Sequence, residues 1–214
     1  MNTFFTLLNS TRETLYMVSS AGLISIALGL PLGIFLYINT QPEFQPRSIL
    51  KVFANTVVNV IRSIPFIILM VAILPFTRLI MGTGIGTSAA IVPLACAATP
   101  FFARITETAL LNLPSGLLES SIAMGATKQQ IIIRILLPES AADLVRGITL
   151  MLITLIGYSA MAGAIGGGGL GSLAIQYGYQ RFDTFIMAST TLILVCIVQI
   201  LQVCGNTLAK KLTH

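Results

Sequence analysis

Charged residues punctuate this chain so sparsely that the gaps between them outline its architecture. No Asp, Glu, Lys or Arg occurs over residues 14–42, 79–103, 147–180 or 184–209, runs of 29, 25, 34 and 26 positions. About 20 apolar residues in a helix cross the ~30 Å hydrocarbon core of a bilayer. Helices over 14–38, 86–108, 143–165 and 184–206 are therefore expected to span a membrane. A fifth apolar stretch, 57–79, is less clean, because only 15 uncharged residues separate Arg62 from Arg78. Its apolar pattern begins earlier, at Val52, so Arg62 is read near one interface, with its long stem carrying the guanidinium to the headgroups. Pro31, Pro65, Pro75, Pro93 and Pro100 lie within these stretches. Membrane helices tolerate proline where neighbours satisfy the freed carbonyls. The expected fold class is an all-α integral membrane protein with five transmembrane helices, forming one domain over 1–214.

Five spans put the termini on opposite sides. One side then holds Arg12, Arg78 and Arg181. The other holds Arg47, Lys51, Arg62, Arg104, Lys128, Arg134, Arg146, Lys210 and Lys211. Cytoplasmic loops carry the excess of basic residues, so the N-terminus is expected outside and the C-terminus inside. Residues 1–13 lack the basic n-region and small-residue cleavage site of a signal peptide, so the first span is expected to remain as an anchor.

Composition narrows the function. Only 9% of the 214 residues are charged and 55% are hydrophobic, against about 25% charged in a soluble domain. Mean hydropathy is +0.92. A soluble enzyme, a disordered tail and a nucleic-acid binder are excluded, and the net charge of +5 reflects scarce charge rather than a basic patch. Cys96, Cys196 and Cys204 sit in apolar stretches without metal-ligand spacing and read as small buried hydrophobes. The single histidine is His214, and no metal site or catalytic residue is expected. Gly166–Gly169 is not followed by the Gly-Lys-Ser/Thr of a phosphate-binding loop. It reads as a flexible outer loop, a place of close backbone approach, or a gate.

Glu107 and Asp143 fall near the inner ends of spans three and four, each with an arginine three residues away, Arg104 and Arg146. They read as interfacial charges with local partners rather than as the mid-membrane relay of an ion-coupled carrier. The energy for any transport must then come from another subunit. Span four is rich in small residues, including Gly147, Gly157, Ser159, Ala162 and Gly163, which mark close helix packing in membranes. A second reading puts this span along a two-fold axis, with Tyr158, Ser159 and Met161 bordering a translocation route.

The inner loop over 113–138 carries the most specific pattern. Pro114 and Ser115 suit a helix start, and Glu119 is expected close to the first turn, where the helix dipole favours a carboxylate. Leu118 and Ile122 share a face, and Gly125 can end the helix in a left-handed conformation. A second helix is expected from about Thr127 to Leu136. Two short amphipathic helices at an angle need a cover, either headgroups or a groove on a partner.

Glu119-Ser120-Ser121, then Gly125, then Ile135, Leu137 and Pro138 resembles the cytoplasmic signature of permease subunits of bacterial ATP-driven importers at every spacing, with Ser-Ser where Ala-Ala is usual. The segments Ile61–Phe66, Gly157–Gly163, Gly168–Gly171 and Tyr177–Asp183 are similar to the methionine-importer branch of that family. The resemblance implies that Leu118, Glu119, Ser120, Ser121, Ile122, Gly125, Ala126, Ile135, Leu137 and Pro138 couple to an ATPase. It implies a homodimer in the bacterial inner membrane, two ATP-binding-cassette subunits that use ATP and Mg on the cytoplasmic side, and a periplasmic substrate-binding lipoprotein. This chain would bind no cofactor and no nucleic acid. It would move D- or L-methionine by alternating access. The alternatives are a permease for another small amino acid, a secondary carrier or channel, and a structural anchor. The lack of mid-span charge and of a repeat between the two halves argues against the carrier.

Overall fold

The computed structural model describes residues 3–41, 44 and 48–212; Arg47 and His214 lie outside these, as do residues 1 and 2. The described residues form helices and connecting turns. In chain order they are α1 (Thr3–Ile38), α2 (Ser48–Ser63), α3 (Phe66–Ala72), α4 (Leu74–Met81) and α5 (Thr87–Leu111). They continue with α6 (Ser115–Ala123), α7 (Lys128–Gln130), a π-helical turn (Ile131–Leu136), α8 (Leu137–Glu139) and α9 (Ala141–Ala164). The chain then runs through α10 (Gly169–Leu173), a second π-helical turn (Ala174–Tyr179) and α11 (Thr184–Leu212). Among the described residues, α1, α5, α9 and α11 are each long and apolar enough to cross a membrane, and a fifth span results if the bent pair α2–α3 is counted as one.

That fifth element departs from a simple span over 57–79. Proline lacks the amide hydrogen that would continue α2 and pushes the preceding residue out of the helical region. Pro65 therefore ends α2 and caps the start of α3, and the two axes diverge by 107°. The chain bends again at Ile73 into α4, which stops at a left-handed Gly82. Arg62 lies in the last turn of α2, before the break.

Helix α5 is the central post: 61% of its most apolar stretch is buried inside the protein, against 11% for α11. Its most extensive neighbour is α1. Lipid tails are as apolar as leucine, so close van der Waals packing by small residues holds membrane helices together. A Cβ at Gly33 of α1 would lie 2.5 Å from the Ala103 carbonyl oxygen of α5, so only glycine permits this approach. Met17, Ala21, Leu94, Phe102, Met151 and Leu155 fill the core shared by α1, α5 and α9. A second cluster beneath it joins Tyr37, Leu110, Leu118, Ile131 and Leu136.

One expectation is corrected here. Cys196 and Cys204 are exposed on α11 and Cys96 is only half-buried; an outward apolar face in a bilayer meets lipid, so a cysteine there needs no protein cover. Helix α1 starts at Thr3, well before residue 14, because a helix needs no gap between charges to form, only to enter hydrocarbon.

Candidate coupling helix and translocation face

Helix α6 is built by its ends. Pro114 caps its start in an extended conformation. At its other end Gly125 has φ +77°. The Gly125 N–H donates to the Ile122 carbonyl at 2.9 Å and the Ala126 N–H to the Ser121 carbonyl at 3.1 Å. These paired bonds satisfy the last carbonyls of the helix and reverse the chain. Leu118 and Ser121 are buried, and Leu118 packs with Tyr37 of α1 and Leu110 of α5. Glu119, Ser120, Ile122, Met124 and Gly125 face outward, with Met124 76% exposed. Glu119 lies beyond the first turn, which holds no acidic residue, so the expected dipole contact is absent.

The return limb is fixed separately. The Thr127 hydroxyl accepts the Gln130 N–H at 3.4 Å while the Gln130 side chain accepts the Thr127 N–H at 2.8 Å. This is a capping box, whose Thr-x-x-Gln pattern was readable in the sequence. Lys128 Nζ donates to the Phe44 carbonyl at 2.9 Å and lies 5.8 Å from the centre of that ring. The helix then widens through Ile131–Leu136, where the Leu137 N–H reaches the Ile132 carbonyl five residues back. Pro138 follows directly, and a proline ring crowds the carbonyl four residues before it. Ile135 and Leu137 are half-buried, Ala126 likewise, and Pro138 is exposed. The two halves of the sequence signature thus meet as two limbs of one turn, with Leu118 and Leu136 in a common apolar cluster.

Next to this turn sits a polar clamp. Arg104 Nη1 donates to Glu107 at 2.5 Å, and its Nη2 donates to Asn55 at 3.1 Å and Asn59 at 2.8 Å. The Thr40 hydroxyl lies 3.4 Å from the other Glu107 oxygen. Glu107 is 4% exposed. Its arginine partner is the one expected, but the pair is not an open interfacial one. It bolts α1, α2 and α5 together. Asp143 pairs with Arg146 at 2.6 Å and stays half-exposed.

On α9 the three route candidates part company. Ser159 is 2% exposed and its hydroxyl donates to the Ile156 carbonyl at 2.8 Å, so it faces the subunit's own core. Tyr158 stacks on Phe66 of α3, ring centres 4.4 Å apart and planes 4° from parallel. Met161 faces outward at 47% exposure. Arg146, Leu150, Gly157 and Met161 are the exposed residues spaced along one face of α9, a stripe at helical periodicity. A Cβ at Gly157 would meet nothing within 4 Å. Sequence reasoning missed Phe66; the Ile64-Pro65 step that aims it at Tyr158 was the available signal.

At the far end of α9, Gly166–Gly169 is a knot of close approach. Gly169 has φ +75°. Its N–H donates to Glu13 at 2.7 Å, the Leu170 N–H donates to the Thr14 hydroxyl at 2.9 Å, and the Gly86 N–H donates to the Gly166 carbonyl at 3.0 Å. The glycines thus bind α1 and the start of α5 to the α9–α10 turn.

Residues 29–213 match the family of binding-protein-dependent transport system inner membrane components. A probable D-methionine transport system permease protein of Vibrio cholerae is 50% identical over 208 residues, covering 97% of this chain and 92% of that protein. The D-methionine transport system permease protein of Escherichia coli K12 is 49% identical over 157 residues, 73% of this chain and 72% of its own. An inward-facing structure of the MetNI methionine ABC transporter superposes with a TM-score of 0.96 at 45% identity, covering 98% of this chain and 97% of that one. An amino acid ABC transporter with TM-score 0.73 and 18% identity, covering 97% of this chain and 92% of its own, shares the fold.

Proposed function

The chain belongs to the inner membrane components of binding-protein-dependent transport systems, and from that footing we propose that it is the permease subunit of a methionine importer, moving D- or L-methionine by alternating access. ATP is hydrolysed on a separate ATPase subunit. The observation that carries the reading is the outward face of α6. Ile122 and Met124 stand exposed beside Glu119 and Ser120 on a short helix whose other face is anchored. A helix presented this way suits insertion into a groove on a partner. Leu118, Ser121 and Ala126 support it from behind, with Ile135, Leu137 and Pro138 forming the return limb.

The assembly pairs two copies of this chain, two ATPases and a periplasmic binding lipoprotein, with N-termini outside and C-termini inside. Two copies bring α9 to a two-fold axis. Gly157 and Met161 then line the route, and Tyr158 flanks it through its stack on Phe66. Closure of the ATPase pair pushes α6. The Leu118 cluster and the Arg104–Glu107 clamp pass that push to α1, α2 and α5 as one body, and the two copies rock past each other. Glu107 serves as a bolt in this scheme.

The test is reconstitution of the complete complex in proteoliposomes with labelled amino acids. ATP-dependent accumulation of methionine, lost in Gly125→Val, is expected. Accumulation without ATP, or of another amino acid in preference to methionine, overturns the reading.

A further inference from the structure

At the end of the bundle nearest α6, the ends of α2, α5 and α9 border an open cavity of about 390 Å³. Arg62, Arg104 and Arg146 line it, with Asp143 as the carboxylate on its wall and Ile105 and Leu150 as its apolar part. Three guanidiniums around one space repel each other unless an anion joins them. Arg104 is engaged by Glu107 and two asparagines, and Arg146 by Asp143. Among the described residues Arg62 has no hydrogen-bond or ion-pair partner. Asp143 uses only Oδ1, toward Arg146. The cavity therefore offers one free cationic fork and one free carboxylate oxygen, beside an apolar wall. Arg146 and Leu150 also begin the exposed stripe of α9 that continues to Gly157 and Met161.

We propose that this cavity is a binding station for a zwitterionic amino acid at the inner end of the route. The α-carboxylate binds Arg62 among the three guanidiniums, where the planar fork matches a carboxylate. The α-ammonium binds Asp143, and the side chain lies on Ile105 and Leu150. A purely anionic ligand such as a lipid phosphate gains from the arginines but is opposed by Asp143; a zwitterion uses both signs. This rests on the permease reading and adds a place in the membrane subunit where cargo is held by its backbone charges.

The test uses the complete complex in lipid nanodiscs, with the native cysteines replaced and Leu150→Cys introduced. Alkylation of that thiol by neutral iodoacetamide is timed with methionine, with 4-(methylthio)butanoate, which lacks only the ammonium, and with methionine methyl ester, which lacks the carboxylate. Nanodiscs with and without phosphatidylglycerol are compared. Methionine is expected to slow alkylation, and the concentration needed should rise about tenfold or more in Arg62→Gln and in Asp143→Asn, and for each analogue. The Arg62 guanidinium has no native hydrogen bond or ion pair to lose, so Arg62→Gln should fold. Absence of protection, equal protection by 4-(methylthio)butanoate, or protection set by phosphatidylglycerol alone overturns the proposal. Uptake by the unsubstituted parent complex is measured in parallel in proteoliposomes. Methionine uptake without protection sinks the station and leaves the permease reading standing, whereas loss of ATP-driven uptake in the parent complex sinks the permease reading itself.

Discussion

Replacing Gly125 separates two reasons why a glycine ends α6. Its φ of +77° lies in the left-handed region, yet a Cβ built there meets no atom within 4 Å. Inside the subunit the whole requirement is therefore conformational. Left-handed geometry costs an ordinary L-residue about 1–2 kcal/mol, and asparagine less because its side chain bonds locally. At about 1.4 kcal/mol per tenfold, alanine should depopulate the native turn by about five- to thirtyfold relative to glycine, valine more, and asparagine less than alanine. The Ala126–Ser121 bond that closes the turn would be lost with it, freeing the last carbonyls of α6. If a docked ATPase crowded this position instead, size would decide, and asparagine would be worse than alanine. The assay is ATP-driven uptake per ATP hydrolysed by the reconstituted complex for Gly125→Asn, Gly125→Ala and Gly125→Val, at matched protein levels. The order Asn, Ala, Val from best to worst is expected. Alanine outperforming asparagine would refute the backbone argument and make the position a contact surface.

Other perturbations probe the remaining elements. Arg104→Ala strands the buried Glu107 carboxylate, and breaking a buried pair in this way costs about 3–5 kcal/mol; the thermal midpoint of the detergent-solubilised subunit should fall well below that of Arg146→Ala, whose partner Asp143 is half-exposed. Gly169→Ala and Gly82→Ala share a left-handed backbone, but only at Gly169 would the new Cβ approach Thr14 Oγ1, at 2.6 Å. The first should therefore be the more damaging to folded yield, and equal yields would dismiss the glycine knot. Gly157→Leu finds open space in the subunit and replaces a poor helix former with a good one. It should preserve folding while abolishing uptake, and normal uptake would remove α9's outer stripe from the route.

Proline shows where sequence reading stops. Pro31, Pro93 and Pro100 all lie inside continuous helices, while Pro65 divides two helices at 107°. Nothing local distinguishes them as tolerated or disruptive. The first three sit in α1 and α5, the most extensively packed pair, where the neighbour holds the axis through the missing hydrogen bond. Pro65 follows α2, a helix with most of its surface outward, including Val52, Phe53 and Val60, and its packing on α1 and α5 is far less extensive. The same distinction explains the charges. Runs without charge locate α1, α5, α9 and α11, because the cost of placing charge in hydrocarbon is a property of each residue alone. The Arg104–Glu107 pairing was equally legible, since three residues apart is a distance along one helix. Burial of Glu107 was not, because it depends on Thr40, Asn55 and Asn59, which reach Arg104 and Glu107 from α2 and from the end of α1. The orientation of Ser159 was hidden for a related reason: a small-residue stripe advertises close packing without naming the face, and the hydroxyl turned inward. Spacing along one helix is thus visible in the chain, whereas the side facing cargo emerges only when three helices are packed. The turn that ends α6 was readable because signature, glycine and capping box all act within twenty or so residues of sequence, whereas the proposed zwitterion station draws on α2, α5 and α9 at once and had no local signal to give.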